Sequence, residues 1–173
     1  MKFAYIQVVN EIDLFLEKVR SQHFEASTYW AETRALWEKS KLQEWFFGID
    51  LETRDRNISE IFSQFPETRS SFMTEKESHK LKALPNFLTI YRGGQQSNIA
   101  GWSWTLDYNS AKKFAYKIAK DRRPLLATVT DFPVEGILAF TENPNSEELI
   151  IDPLTITLES AEFSKIRFER IKS

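Results

Sequence analysis

The spacing of apolar residues along the chain changes at Pro85, from helical intervals to short strand-like runs. Before Pro85, apolar side chains recur every three or four positions, which predicts amphipathic helices. Asn10 is a suitable cap for the first helix, a second is expected from Ser27 or Thr28 to Gly48, and a third covers 58–65. The apolar positions are Ile12, Phe15, Leu16 and Val19 in the first helix, and Trp30, Trp37, Leu42, Trp45 and Phe46 in the second.

Helical spacing alone does not account for three parts of this N-terminal region. Residues 3–9 either extend the first helix or form a strand. Residues 67–82 are polar and charged, which favours a linker or a loop-rich crossing. The aromatic stripe of the second helix is more typical of a core than of a ligand site, and we interpret it as the face that packs on the rest of the chain.

After Pro85 the apolar runs are short, rich in β-branched and aromatic residues, and separated by turn signals. The predicted strands are 87–91, 125–129, 137–140, 149–151, 154–158 and 166–171. One helix interrupts them, with Asp107 or Asn109 as its cap and Ala111, Phe114, Ala115, Ile118 and Ala119 as its apolar face. The pattern predicts an α+β protein with N-terminal helices (1–84) packed on a mostly antiparallel β core (85–173), as one compact unit.

Composition narrows the classes of function. The formal net charge of -2 gives no general attraction to nucleic acid or to acidic membranes. Without cysteine there is neither a disulfide framework nor a thiolate metal site, and with only two histidines a histidine-based metal centre is not expected. No apolar stretch has the length of a bilayer span, and the N-terminus lacks a secretory pattern, so we expect a cytoplasmic protein. Delivery into a host cell by a phage particle or a secretion machine is compatible with that pattern.

Three short motifs of the C-terminal half carry the candidate chemistry. Arg92 ends an apolar run and precedes two glycines, which suits bidentate contact with a phosphate, although a strand-end arginine is more often an ion-pair partner. Ser103 and Thr105 share a face in an extended segment, as ordinary strand hydroxyls also do. Glu148 precedes an entirely apolar strand and can stabilise a positive charge that develops on a ribose. It can equally be a solvated glutamate beside Glu147.

In their order and spacing, these motifs resemble the arginine–serine–glutamate branch of the ADP-ribosyltransferase superfamily. The resemblance covers roughly residues 88–153. Its three parts are Tyr91-Arg92-Gly93, Ser103-Trp104-Thr105-Leu106 in place of the Ser-Thr-Ser motif, and Glu148 followed by apolar residues. Glu142 and Asp152 are less well placed for the catalytic carboxylate. The resemblance implies a split antiparallel sheet and NAD as the substrate, with no metal.

The resemblance also implies a role for each residue. Arg92 would hold an NAD phosphate or the nearby ribose, and the backbone of Gly93 would meet the nicotinamide amide. Ser103, in the motif that Thr105 completes, would orient Glu148, which would stabilise the cation left as nicotinamide departs. Besides these, Trp104 and Phe114 can face the nicotinamide ring, although core packing is the commoner role for such residues.

One position departs from the family pattern. Members that modify arginine or asparagine usually carry glutamate or glutamine two residues before the catalytic glutamate, where this chain has Ser146. The departure argues against arginine as the acceptor and leaves NAD hydrolysis or another acceptor open. Glu147 is a substitute only if it shares a face with Glu148, which strand alternation disfavours.

A basic stretch lies on the helix after Ser103-Trp104-Thr105. It comprises Lys112, Lys113, Lys117, Lys120, Arg122 and Arg123. Such a stretch can meet a nucleic acid or an acidic partner, but it is more often the solvated side of an amphipathic helix.

Three hypotheses follow from the sequence. The first is a mono-ADP-ribosyltransferase, a bacterial or phage effector that transfers ADP-ribose from NAD to a macromolecule, with protein preferred over nucleic acid as the acceptor. The second is a catalytically silent protein that keeps the fold and binds or inhibits a host or defence partner. The third is an unrelated α+β protein in which the motifs are coincidental. The sequence assigns neither the acceptor residue nor an oligomeric state.

Overall fold

The chain divides into two compact units, residues 1–74 and 75–173. The structure is a computed structural model, and it describes residues 14–21, 24–39, 50–119, 123–143, 146–156 and 165–171. Helices come first and antiparallel strands later, which confirms the predicted α+β class. The boundary at 84/85 expected from the sequence places the short helix after residue 74 with the N-terminal helices, whereas it belongs to the second unit.

In its described part, the first unit contains three α-helices followed by a 3-10 helix. Helix α1 covers residues 14–20, α2 is Ala26–Lys39, α3 is Leu51–Ser63, and the 3-10 helix is Pro66–Phe72. Helix α2 begins next to its predicted start. Several positions used in the sequence analysis lie outside the described residues: 3–9, Asn10, Ile12, Leu42, Trp45, Phe46 and Gly48.

The predicted bounds of α3 are wrong. The helix begins at Leu51 because the Asp50 carboxylate caps it, accepting a hydrogen bond from the Thr53 N–H at 2.9 Å. That bond keeps the pKa of Asp50 below its usual value. Residues 51–57 are almost entirely polar, so apolar spacing alone could not show that they are helical.

The aromatic side chains of the first unit form its core. Tyr29, Trp30 and Trp37 of α2 are buried with Phe62 of α3 and Phe72 of the 3-10 helix, several of them edge to face. The polar atoms of this cluster are satisfied: the Tyr29 hydroxyl donates to the Ile61 carbonyl at 2.8 Å, and burial raises the Tyr29 pKa. The stripe is therefore a core within the first unit.

The predicted linker over 67–82 is also wrong, because it contains the 3-10 helix and helix α4 (Glu75–Lys82). Acidic residues in the first turn of α4 and basic residues in its last turn complement the helix dipole. Contacts with a strand remote in sequence hold the helix: the buried Glu77 accepts the Glu142 N–H at 2.7 Å, and Lys80 binds the Glu142 carboxylate at 2.7 Å. Local sequence gives no sign of such contacts.

Over its described residues, the second unit is built on two antiparallel sheets of three strands each. Its remaining elements are β1 (Phe87–Gly94), β2 (Ser103–Trp104), α5 (Tyr108–Ile118), β3 (Leu125–Pro133), β4 (Ile137–Asn143), β5 (Ser146–Ile151) and β6 (Lys165–Arg170), with 3-10 turns at Val134–Gly136 and Pro153–Ile156. One sheet has the order β1-β3-β6 and the other β2-β5-β4. Tyr91 and Thr105 join them by exchanging backbone hydrogen bonds of 2.8 and 2.9 Å. The sheet is thus split, as expected.

The predicted strand at 154–158 is wrong over its described residues, which form the 3-10 turn Pro153–Ile156. The Asp152 carboxylate accepts the Leu154 N–H at 2.9 Å, and its carbonyl accepts the Thr155 hydroxyl at 2.7 Å. These bonds fold the chain back immediately after β5.

Helix α5 starts one residue after its cap, Asp107, whose carboxylate accepts the N–H groups of Asn109 and Ser110. Hydrogen bonds from Ser110 and from the backbone lower the Asp107 pKa. The helix packs directly on β1: a Cβ at Gly93 would lie 2.6 Å from the Ala115 nitrogen, so only glycine permits this approach. None of the helices in the described ranges is long and apolar enough to cross a membrane.

Candidate functional site

Arg92 lies on β1 with only 9% of its surface exposed, and its guanidinium is bound by the backbone. Nε donates to the Ile99 carbonyl at 3.0 Å, Nη2 donates to the Asn98 carbonyl at 3.2 Å, and Nη1 donates to the Ser103 carbonyl. These three bonds fasten the loop between β1 and β2 to the strand that carries Arg92. The sequence predicted a phosphate as the partner of this side chain, whereas here its partners are carbonyl oxygens.

The loop is built closely around the guanidinium. A Cβ at Gly101 would lie 2.8 Å from the Arg92 Cζ atom, so a larger residue at this position would have to displace the guanidinium. At the start of the loop, the Asn98 side chain accepts the Gln95 N–H at 2.8 Å, and Gln95 Nε2 donates to the Ser97 hydroxyl at 2.9 Å. The other side-chain atom of Gln95, Oε1, is buried without a hydrogen-bond donor in the part of the chain that the structure describes.

The three residues of the second motif have different environments. Ser103 is half-buried, whereas Trp104 is 4% exposed and its indole N–H donates to the Gly101 carbonyl at 2.8 Å. Thr105 accepts the Asp107 N–H on its hydroxyl at 3.1 Å, which shapes the turn into α5. Thus Trp104 belongs to the core, Thr105 to a local turn, and Ser103 is the motif's remaining candidate for ligand contact.

Glu148 is half-buried on β5, the middle strand of its sheet. The strand pairing sets Thr141 of β4 directly opposite, and the Thr141 hydroxyl donates to Glu148 Oε2 at 3.2 Å. Thr141 itself is buried. Sequence reasoning missed Thr141; a signal was present in the hairpin pattern, since pairing of 137–140 with 149–151 extends to this pair.

The pairing of β2 with β5 brings Ser103 and Glu148 onto one face. Ser103 lies opposite Ile150, and Ile150 shares its face with Glu148 because side chains alternate along a strand. Ser103 and Glu148 are therefore diagonal neighbours, for which a separation of about 7–8 Å is typical. Arg92 and Glu148 are therefore both neighbours of Ser103: Arg92 binds its carbonyl beside the junction of the two sheets, and Glu148 lies on the face of its side chain.

Glu147 lies on the opposite face, as strand alternation predicted. It pairs with Glu142, and Lys80 of α4 donates to both carboxylates, at 3.3 Å to Glu147 and 2.7 Å to Glu142. Lys76 contributes a further ion pair to Glu142 at 2.9 Å. Hydrogen bonds from Lys80 and then Lys76 lower the Glu142 pKa, and the bond to Glu142 raises the Lys80 pKa. This ion cluster anchors α4 and separates Glu147 from the Ser103 side of the sheet.

The other residues singled out from the sequence have the following environments. Phe114, predicted on the buried side of α5, is 41% exposed, while Ala111 and Ala115 occupy the side toward Gly93. Gly93 pairs with Leu126 of β3 and lies against the helix backbone. Ser146 lies two residues before Glu148, on the same face, and is exposed.

Comparison with protein-family models, with curated proteins and with solved structures found no match.

Proposed function

We propose that this protein cleaves the bond between nicotinamide and ribose in NAD and transfers ADP-ribose to a macromolecular target. The observation that carries the proposal is that Arg92 and Glu148 both neighbour Ser103, Arg92 through the Ser103 carbonyl and Glu148 across the β2–β5 pair. These residues are separated by 11 and 45 positions in the sequence and lie on three strands, so local structure does not bring them together. The resemblance of the three motifs to the arginine–serine–glutamate pattern supports the same reaction.

In the proposed reaction, Glu148 supplies the carboxylate. As the bond from C1′ of the ribose to the nicotinamide nitrogen breaks, its electron pair leaves with nicotinamide and positive charge develops on the ribose. A carboxylate held rigidly beside that charge lowers the barrier. Glu148 is fixed by the central strand and by the Thr141 hydroxyl. A nucleophile of the acceptor then bonds to C1′ and gives up its proton.

Arg92 acts in this proposal as a positioning residue. Its three carbonyl partners leave the described conformation poorly suited to phosphate binding, and Gly101 closes over the guanidinium. What Arg92 does instead is fix the carbonyl of Ser103, and with it the strand that presents the Ser103 hydroxyl. The half-buried Ser103 hydroxyl and Glu148 carboxylate suit the hydroxyl groups of a ribose.

The acceptor in this proposal is a nucleophile other than arginine. Ser146 occupies the face of Glu148 where arginine-modifying enzymes carry a glutamate or glutamine, and a serine hydroxyl cannot pair with a guanidinium as a carboxylate does. Glu147 does not substitute, because it faces the α4 ion cluster. A protein side chain is the first acceptor to test, with a nucleic acid and water as the others.

The proposal is tested by incubating the purified chain with NAD labelled in its adenylate part, with and without a bacterial lysate. We expect free nicotinamide in both samples and labelled macromolecules only with lysate. Protease and nuclease treatment of the labelled material then identify the class of acceptor. Absence of both nicotinamide release and label transfer, with lysate present, would exclude the enzyme.

Replacing Thr141 with valine is expected to slow nicotinamide release by about tenfold to a hundredfold, since a hydrogen bond to a charged group contributes about 1.5–3 kcal/mol. Valine keeps the size and the β-branched shape of threonine, so packing changes little. Thr141→Ser restores the hydroxyl and should recover most of the rate. If valine and serine variants are equally slow, the effect comes from packing, and Thr141 does not orient Glu148.

The engagement of Arg92 by carbonyl oxygens also favours a second candidate, the catalytically silent binding protein. When the arginine of the motif binds backbone carbonyls of its own chain, it stabilises the fold whether or not the protein is catalytically active. Two measurements distinguish the candidates: NAD should raise the melting temperature of the protein in both cases, but only the enzyme should release nicotinamide. Stabilisation by NAD without turnover at any lysate concentration would favour the silent protein.

A further inference from the structure

The outward side of helix α5 combines exposed aromatic rings with lysines. We define the α5 face as Lys113, Phe114, Tyr116 and Lys117, all four of which are exposed. The side chains of Phe114 and Tyr116 are 41% and 38% exposed. Lys112, half-buried on the same helix, adds a third positive charge.

Packing on the opposite side of α5 fixes the orientation of the helix, and this orientation keeps Phe114 and Tyr116 exposed. Ala111 and Ala115 are buried, and the Ala115 backbone approaches Gly93 so closely that no side chain fits between them. At 100° per residue, Lys113 and Lys117 lie at the centre of the outward side, with Phe114 and Tyr116 flanking them. A rotation that buried either ring would remove the alanines from β1.

The charge on the α5 face is local. The whole chain has a formal net charge of -2, and among the described ion pairs none neutralises Lys112, Lys113 or Lys117. The positive charge of Lys113 contributes to the lowered pKa of Asp107 at the start of the helix. The Asp107 carboxylate is itself held by the hydrogen bonds of the helix cap. The lysines are therefore available to an anionic partner.

We infer that the α5 face binds a single strand of nucleic acid. A single strand presents phosphates to lysines and the faces of unpaired bases to aromatic rings, and the α5 face carries both kinds of group within one and a half turns of helix. Lys113 and Lys117 are at i and i+4, with Cβ atoms about 5–6 Å apart, so both can contact one backbone. An acidic peptide would use the lysines but not the stacking faces of the rings, and a duplex keeps its bases paired.

The inference is independent of NAD chemistry, and the test therefore contains no NAD. The intact chain is titrated into fluorescent oligothymidylate and oligouridylate, a hairpin duplex and polyglutamate, at several salt concentrations, with anisotropy as the readout. The variants are Lys113→Gln with Lys117→Gln, and Phe114→Ala with Tyr116→Ala. The matched control is Lys82→Glu with Phe87→Ala, which alters an exposed lysine and an exposed phenylalanine away from α5.

We expect the wild type and the control to bind both single strands more tightly than the duplex or polyglutamate. Loss of the two lysines should reduce the slope of log affinity against log salt by about 1.4, at 0.7 per phosphate contact. Loss of each ring should weaken binding by about 5- to 150-fold. Melting curves identify any variant that fails to fold, and single replacements, Lys117→Gln and Phe114→Ala, then take its place.

Several results would overturn the inference. These are no binding of either single strand by the wild type, equal binding by all three altered proteins, or affinity that does not depend on salt. Tighter binding of polyglutamate would assign the α5 face to an acidic protein partner instead. Nicotinamide release by a protein that binds no oligonucleotide would refute this inference alone, whereas oligonucleotide binding without nicotinamide release would contradict only the proposed reaction.

Discussion

Replacing Glu148 with glutamine is expected to lower the rate of nicotinamide release by about a hundredfold to a thousandfold, the usual effect of removing one group that stabilises charge in a transition state. Glutamine keeps the shape of the side chain and can still accept the hydrogen bond from Thr141, which is 3.2 Å long. What it loses is the negative charge beside the ribose. The measurement is the turnover number, with the melting temperature as a check that the fold is unchanged.

The matched control for this variant is its neighbour, Glu147→Gln. Glu147 has the same chemistry on the same strand but faces α4, where Lys80 binds it at 3.3 Å. We expect this variant to keep turnover close to that of the wild type, because a largely exposed ion pair contributes little. If both variants lose the same amount of turnover, then turnover depends on the total charge of the strand and not on the carboxylate that faces Ser103. Normal turnover in Glu148→Gln would refute the proposed mechanism.

Replacing Arg92 with alanine should lower the free energy of unfolding by about 3–5 kcal/mol, because charge-assisted hydrogen bonds to three backbone carbonyls are lost together. The carbonyls of Asn98, Ile99 and Ser103 would then lack this partner in a partly buried loop. Urea denaturation followed by circular dichroism measures the loss. Turnover should fall as well, because the loop positions Ser103.

Two further variants separate the roles of Arg92. Arg170→Ala removes an exposed arginine at the end of β6 and should cost little. Gly101→Ala leaves the guanidinium in place but pushes a methyl group against it, and it should reproduce part of the loss. If Arg92→Ala unfolds like the wild type and only raises the KM for NAD, then the phosphate role expected from the sequence is right and the positioning role is wrong.

Apolar periodicity predicted those elements whose own residues form the core. Alternating or continuous apolar runs gave β1, β3, β4, β5 and β6 to within a few residues, and Asp107 was one of the two expected caps of α5. It failed where helices are stabilised by polar contacts and not by an apolar face of their own. Helix α4 is polar and depends on Glu142, and the first half of α3 depends on the carboxylate of Asp50.

For the candidate site, the sequence suggested a set of residues but not what each of them contacts. Ser103 and Glu148 are diagonal neighbours across the β2–β5 pair, and Arg92 binds the Ser103 carbonyl. That Arg92 is bound by carbonyls depends on how the loop after β1 folds, and no local pattern encodes that path. Thr141 was overlooked because its importance comes from its cross-strand partner and not from its own neighbours.

The alternation of Glu147 and Glu148 has a consequence for the alignment of the β4–β5 hairpin. A slip of one position would exchange the two glutamates, turning Glu148 toward Lys80 and Glu147 toward the side of Ser103. The same slip would turn the buried Leu149 and Ile150 to opposite faces of the sheet, where their packing neighbours differ. The lost packing destabilises the misaligned hairpin. The pairing of this hairpin therefore also decides which of the two glutamates faces the side of Ser103.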